Sequence, residues 1–192
     1  MRIAVLGSTR GTNLDPLAAA IRDQELSAEL VLVLSNIPDA PILEKAQRWG
    51  IPYYGLDHRK FSREAFEEQL SSLLEAHAIE LIVLIGYMRI LSSSFVAAWK
   101  HRVINIHPSL LPKFAGLTDR AVHQAVLDAK EKRSGCTVHY VVEAVDEGPI
   151  ILQQSCPVFE NDSVDSLKAR VQAMEGKVYV EAIKNLTKEV AR

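Results

Sequence analysis

The residue pair most suggestive of chemistry is Asn105 and His107, in the segment Asn-Ile-His-Pro-Ser-Leu-Leu-Pro at 105–112. Side chains two apart on an extended strand point the same way, so the carboxamide and the imidazole share one side. Pro108 has no amide hydrogen to give to a sheet, so the strand ends there. Open α/β sheets bind ligands at the carboxyl ends of their strands. The pattern favours a polar site at such an end; the alternative is a strand end whose Asn and His cap a turn.

A second candidate is the turn Gly-Ser-Thr-Arg-Gly-Thr-Asn at 7–13, which follows an apolar run and opens a helix. A helix N-terminus presents unpaired N–H groups and the positive end of the helix dipole. The spacing fits neither a dinucleotide fingerprint, nor a Walker loop, nor a nucleophile elbow. It therefore favours one phosphate on a small substrate, and the alternative is a tight turn in which Thr12 caps the helix.

Two later segments could complete such a site. Residues 86–91 follow an apolar run and would wall a crevice, although loop hydrophobic residues more often cover the core. Asp146 lies in a turn at 143–149, where a carboxylate could orient an imidazole and favour its protonated form. The alternative for Asp146 is ordinary turn chemistry. Other histidines lack metal-ligand spacing and are interpreted as surface or packing residues: His101, His123 and His139.

Composition limits the function classes. The 192 residues fit one domain, and 48% apolar with 24% charged residues is ordinary for a globular protein. A net charge of −2 argues against a nucleic-acid partner, which usually needs a clustered basic face. Cys136 and Cys156 are expected to be buried thiols. No run approaches the roughly 20 apolar residues of a membrane helix. We expect a cytoplasmic protein without a membrane partner, either a monomer or a homodimer.

Alternating strands and helices must position these residues. Apolar runs at 3–6, 30–34, 51–56, 81–85 and 103–106 predict five strands, with helices between them at 14–21, 41–49 and from Ser62. This recurrence predicts an α/β fold with a doubly wound, mostly parallel sheet. After a helix at 119–128, strands at 136–142 and 150–158 should pair antiparallel and extend the sheet. Ser163 then caps a long final helix whose apolar stripe packs on the core: Val164, Leu167, Val171, Met174 and Val178.

Taken together, these motifs resemble those of the glycinamide ribonucleotide formyltransferases, folate-dependent enzymes of purine biosynthesis, over nearly the whole chain. The segment at 105–112 is the most specific match. The others are Gly11-Thr12-Asn13, Met88-Arg89-Ile90-Leu91, the Val145-Asp146 turn and Arg170-Val171-Gln172 with Glu175. The resemblance implies one Rossmann-like formyltransferase domain over 1–192, with a phosphate-binding half at 1–100 and a catalytic and folate-binding half at 101–192.

The resemblance also implies the reaction and the role of each residue. A formyl group passes from 10-formyltetrahydrofolate, a co-substrate, to the amine of glycinamide ribonucleotide, and the scheme requires no metal. The catalytic residues would be Asn105, His107 and Asp146. The ribonucleotide would contact Gly11, Thr12, Asn13, Gln172 and Glu175. The folate would contact Arg63, Met88, Arg89, Ile90, Leu91, Asn105, Val142, Glu143, Ala144, Val145 and Asp146. A cis peptide before Pro112 is also implied.

Some residues depart from the family pattern. Thr9-Arg10 stands where the phosphate loop usually has a small residue, and Arg10 could add a phosphate contact or swing away. Ala115 replaces a usual proline, and the stretch 118–134 is longer than usual, so the histidine expected after Gly116-Leu117 has no clear equivalent. Two rivals stay open: a formyltransferase or formyltetrahydrofolate hydrolase with another acceptor, and a Rossmann-like nucleotide-binding module without catalysis.

Overall fold

The computed structural model describes residues 1–190 and is built on a seven-stranded sheet. The strands are β1 (Arg2–Leu6), β2 (Glu29–Ser35), β3 (Tyr53–Gly55), β4 (Leu81–Leu84), β5 (Val103–His107), β6 (Arg133–Tyr140) and β7 (Ile150–Pro157). Their order across the sheet is β3-β2-β1-β4-β5-β6-β7. Neighbours are parallel from β3 through β5, whereas β6 and β7 join antiparallel. The predicted mostly parallel sheet with an antiparallel extension is confirmed.

Six helices cover the sheet within the described residues: α1 (Leu14–Arg22), α2 (Pro41–Arg48), α3 (Arg63–Ala76), α4 (Ser93–Ala98), α5 (Arg120–Asp128) and α6 (Val164–Val190). A single 3-10 turn spans His58–Lys60. The predicted caps are confirmed, because Ser62 Oγ accepts from the amide of Ala65 and Ser163 Oγ accepts from that of Ser166. Helix α4 was not predicted from the sequence. It is a short helix capped by Ser92.

The core lies on both faces of the sheet, as a parallel sheet requires. One cluster includes residues of α1, α2 and α6, and the other includes residues of α3 and α4. The predicted stripe on α6 is confirmed as packing for four of its five residues: Leu167, Val171 and Val178 are buried, and Met174 packs partly buried against the same cluster. Val164, the first residue of α6, is partly buried and belongs to neither core cluster. Cys136 and Cys156 are buried free thiols, as expected.

Strand order places the candidate residues at one edge. The chain runs outward from β1 to β3 and returns on the other side of β1 as β4, so the order reverses between β1 and β4. The turns that follow these two strands are joined there, because the amide of Ser8 donates to the carbonyl of Gly86 at 3.0 Å. Ligands bind α/β sheets at this kind of reversal.

Several predicted bounds were wrong by a few residues. β3 is limited to three residues, whereas the apolar run at 51–56 predicted six. β6 begins at Arg133 rather than 136, because Arg133 and Ser134 pair with Pro157 and Cys156 across the hairpin. The Leu111–Pro112 peptide is cis, as the resemblance implied.

Candidate active site

Asp146 and His107 meet at the carboxyl end of β5. The His107 Nδ1 atom lies 3.1 Å from Asp146 Oδ2, and both side chains are largely buried. The other ring nitrogen, Nε2, lies 3.0 Å from the carbonyl oxygen of Phe114. A carboxylate and a carbonyl can only accept hydrogen bonds, so both contacts are satisfied together when both ring nitrogens carry hydrogen. The geometry therefore suits an imidazolium held by a carboxylate.

His139 belongs to the same site, although no motif in the sequence predicted this. It pairs with Asn105 across β5 and β6, and its Nε2 lies 3.3 Å from Asn105 Nδ2 and 3.5 Å from Asp146 Oδ1. Its Nδ1 lies 2.9 Å from the carbonyl of Tyr140, which fixes the ring. The interpretation of His139 as a surface or packing residue was wrong. We call Asn105, His107, His139 and Asp146 the Asp146 group.

The turn that carries Asp146 holds it in an unusual backbone conformation, with φ at +59°. The amide of Gly116 donates to Asp146 Oδ2 at 2.9 Å, so a second loop holds the carboxylate. Burial raises the pKa of Asp146, but hydrogen bonds from His107, His139 and the Gly116 amide outweigh it and leave the pKa well below its usual range. Asp146 is therefore a permanent anion at neutral pH.

A crevice of about 250 Å³ opens beside the Asp146 group. Its walls come from residues 86–91 after β4, from 105–107 on β5 with Pro108 after it, from 116–119, and from His139 on β6 with residues 141–143 and 145–146 after it. Both predicted halves of the chain thus contribute to it. Met88 and Ile90 are 59% and 66% exposed although they are apolar, so the crevice offers an uncovered apolar wall. Such a wall beside a few convergent polar groups is typical of a small-molecule site.

Most residues expected to contact folate lie in this crevice. Its lining includes Met88, Arg89, Ile90, Leu91, Asn105, Val142, Glu143, Val145 and Asp146. Arg63 and Ala144 are not part of the lining. The Arg63 guanidinium instead donates to the carbonyl of Ile90 at 2.8 Å, so it holds the crevice wall from behind.

The residues expected to contact a ribonucleotide form a separate group at the start of α1. Gly11 has φ at +60°, and a Cβ there would lie 2.4 Å from the Ile42 side chain, so glycine is required. Within residues 1–190, the amides of Thr12 and Asn13 have no hydrogen-bond acceptor. Such amides at a helix N-terminus can bind a phosphate. Thr12 is not the helix cap, because Asn13 occupies that position.

Asn13 does not cap the helix with its side chain. Its Nδ2 instead donates to Glu175 Oε2 at 2.8 Å, and both side chains are buried. Burial raises the pKa of Glu175, and the bond from Asn13 lowers it in part. Gln172 lies one turn before Glu175 on α6 and is partly buried. Arg10 is exposed and forms no ion pair within the described residues.

His123 and His101 fit the interpretation as packing and surface residues, respectively. His123 lies on α5 and is 1% exposed, and its Nδ1 has no hydrogen-bond partner among the described residues. Burial, together with the positive charge of Lys168, lowers the pKa of His123 to about 4. His101 is exposed and lies edge-on to the Tyr140 ring.

No group of three or more potential metal ligands occurs within residues 1–190. No helix in this range has the length and hydropathy to cross a membrane.

Comparison with known proteins identifies the family of the chain. The family model described as formyl transferase matches residues 1–183. The phosphoribosylglycinamide formyltransferase of Escherichia coli is 41% identical over 180 residues, which cover 93% of this chain and 84% of that protein. The crystal structure of glycinamide ribonucleotide transformylase 1 from Symbiobacterium toebii superposes with a TM-score of 0.93 at 40% identity. That match covers 98% of this chain and 88% of the other.

Longer proteins also match. The trifunctional purine biosynthetic protein adenosine-3 of Drosophila melanogaster is 44% identical over 193 residues, which cover 99% of this chain. The match covers 14% of that protein, so the chain spans about a seventh of its length.

Proposed function

The chain belongs to the formyl transferase family, and on that premise we propose that it transfers a formyl group from 10-formyltetrahydrofolate to the primary amine of glycinamide ribonucleotide. The observation that carries the proposal is the position of the Asp146 group. His107 lies 3.1 Å from Asp146, at the edge of the sheet where the glycine turn at 7–13 also ends. A donor crevice and a phosphate-binding turn thus flank one group of proton-handling side chains.

The crevice is the donor side of the proposed reaction. Its apolar wall, formed by Met88, Ile90 and Val145, suits the flat heterocycle of a folate, and the polar group at its inner end faces the formyl carbon. Arg63 supports the wall through the Ile90 carbonyl and needs no contact with the folate itself. The wall excludes water on one side, which strengthens hydrogen bonds made at the inner end.

The Asp146 group stabilises charge and moves a proton. The neutral amine nitrogen bonds to the formyl carbon, the bond from that carbon to the folate nitrogen breaks, and one proton passes from the amine to the leaving nitrogen. Asn105 Nδ2 and the His107 imidazolium are hydrogen-bond donors to the formyl oxygen, on which negative charge develops. His107 reaches it by exchanging its contact with Phe114. One such donor is worth roughly 10² to 10³ in turnover.

Asp146 holds the imidazole ring and orients a water molecule that carries the proton from the amine to the leaving nitrogen. Its negative charge lies 3.1 Å from His107 Nδ1 and orients the ring for the donor role. His139, on the other side of the carboxylate, fixes the orientation of Asp146 and contacts Asn105. Proton transfer by a positioned side chain contributes roughly 10² to 10⁴.

The acceptor side lies at α1 and α6. The free amides of Thr12 and Asn13 bind the phosphate, with Gly11 allowing the close approach of the backbone. Glu175 accepts hydrogen bonds from the ribonucleotide through the carboxylate oxygen that Asn13 leaves free, and Gln172 extends the same face of α6.

The experiment is an absorbance assay of folate deformylation with purified protein and 10-formyltetrahydrofolate. We expect turnover that depends on glycinamide ribonucleotide, with formylated ribonucleotide detected by mass spectrometry. Turnover without any amine would instead indicate a hydrolase. Turnover only with an amino sugar or with methionyl-tRNA would indicate another acceptor, and no turnover with active folate would contradict the proposal altogether.

A further inference from the structure

Helices α1 and α6 touch at a point directly beside Glu175. The next residue on α6, Gly176, faces Pro16 in the first turn of α1. A Cβ atom built on Gly176 would lie 2.3 Å from Pro16 Cγ and 2.7 Å from Pro16 Cβ. Carbon atoms that are not bonded do not approach so closely, so α6 can hold its present position only if residue 176 has no side chain.

Helix geometry by itself gives no reason for a glycine at this position. Gly176 lies well inside α6, which spans Val164–Val190, and glycine is among the least favourable residues in a helix interior. Its φ is not in the left-handed region, unlike that of Gly11. The close approach to Pro16 is therefore the physical reason that this position suits glycine.

The contact fixes the polar pair next to it. Asn13 Nδ2 donates to Glu175 Oε2 at 2.8 Å. Glu175 directly precedes Gly176 on α6, and Asn13 lies three residues before Pro16 at the start of α1. The Cβ position at Gly176 is also 3.8 Å from Asn13 Oδ1, so the helix contact extends to the Asn13 side chain. Any shift that separates α6 from Pro16 must lengthen or break this buried bond.

We propose that Gly176 and Pro16 form a helix contact that sets the position of Glu175 against the acceptor substrate, so that Gly176 is a positioning residue. The inference rests on the proposed function, since it assigns Glu175 to the acceptor. Gly176 touches no reacting atom. It acts through the separation of α1 and α6, and this separation decides whether Glu175 and Asn13 face the same ligand.

The test is Gly176→Ala in the full chain, with KM for each substrate, kcat and thermal unfolding measured together. We expect KM for glycinamide ribonucleotide to rise at least about tenfold, because relieving the overlap displaces α6 by about 1 Å and a misplacement of that size can cost up to about 10²-fold, while KM for the folate changes less than about twofold. Lys177→Ala is the matched control, because Lys177 is exposed and follows Gly176 on the same helix. It should leave both KM values unchanged.

A second substitution at Pro16 distinguishes a positioning role of Gly176 from a general loss of stability. Pro16→Gly removes both ring atoms that an alanine at 176 would meet, so the double variant Pro16→Gly/Gly176→Ala should return KM for the acceptor to within about twofold of Pro16→Gly alone. It should also melt no lower than Pro16→Gly alone, because alanine favours the helix once the overlap is gone.

If the wild type is active with the ribonucleotide, any one of three results would overturn the inference. They are an unchanged acceptor KM in Gly176→Ala, equal rises in both KM values, or no rescue in the double variant. If Gly176→Ala does not fold, the double variant decides, since an unfolded double variant also contradicts the contact. A wild type without activity toward glycinamide ribonucleotide would count against the proposed function instead.

Discussion

The Asp146 group and the glycine turn lie at the same edge of the sheet, but their polar atoms are satisfied in different ways. In the Asp146 group each functional side chain already contacts another: His107 and His139 lie 3.1 and 3.5 Å from the two oxygens of Asp146. At the turn, the amides of Thr12 and Asn13 have no acceptor within the described residues. The proposed reaction centre is thus assembled by the protein, whereas the proposed phosphate-binding turn would be completed by its ligand.

This difference predicts which kinetic parameter each region controls. A preassembled centre aligns charge before the ligand arrives, so its loss slows the chemical step. A turn completed by its ligand contributes mainly to binding. Substitutions in the two regions should therefore separate kcat from KM.

The largest expected effect is that of Asp146→Asn. It keeps the shape of the side chain but removes the charge that holds His107, so kcat should fall on the order of 10³-fold with little change in either KM. The matched control is Glu147→Gln, the same chemical change at the next, exposed residue. Steady-state kinetics with both substrates measures the difference. A kcat within about threefold of wild type would remove Asp146 from the mechanism.

A smaller effect is expected for Glu175→Gln at the acceptor side. A hydrogen bond to a charged group is worth about 1.5 to 3 kcal/mol, so KM for glycinamide ribonucleotide should rise at least about tenfold while kcat changes little. Glu181→Gln, at an exposed position of the same helix, should have no effect. If Glu175→Gln lowers kcat as strongly as Asp146→Asn does, the distinction between the two regions fails.

The smallest effect on activity is expected at His123, a buried residue of α5, where the measurable change is in stability. The pKa of His123 is lowered from 6.5 to about 4. Burial is the largest cause, Lys168 and His107 also lower this pKa, and the negative charge of Asp119 opposes them. A histidine buried in the neutral form contributes full stability above its unfolded pKa and loses it as the pH falls toward its folded pKa. The unfolding free energy should drop by up to about 3 kcal/mol between pH 6.5 and 4.

Denaturant unfolding at several pH values measures this loss. His123→Leu should flatten the slope between pH 6.5 and 4, because the titrating group is gone. Asp146 acts in a different window, since its depressed pKa means that its stabilisation is present above about pH 4 and lost only below it. An unchanged slope in His123→Leu would show that His123 does not titrate in this range.

The sequence predicted the parts of the site that follow local rules. Asn105 and His107 are two residues apart on one strand, and Pro108 ends that strand, so their common direction and their place at a sheet edge follow from backbone geometry alone. The antiparallel hairpin of β6 and β7 followed from its short loop. The identity of the two proposed substrates rests on the resemblance and on the names of the relatives.

The parts of the site that the sequence did not predict depend on contacts between segments far apart in the chain. His139 joins the site because β6 pairs with β5 in the register that sets it opposite Asn105, and that register is decided by packing on both faces of the sheet. The signal available was the alternation of Thr137 and His139 within a predicted strand. The contact of Gly176 with Pro16 likewise depends on how α6 crosses α1, which no local pattern specifies.

The most direct test of the central claim is a double-mutant cycle on Asp146→Asn and His107→Ala. It measures the single-turnover rate of formyl transfer with both substrates saturating. If the two residues act as one unit, the double variant should be no more than about threefold slower than the slower single variant. A double variant slowed by the product of the two single effects would show that Asp146 and His107 act independently, and it would contradict a preassembled reaction centre.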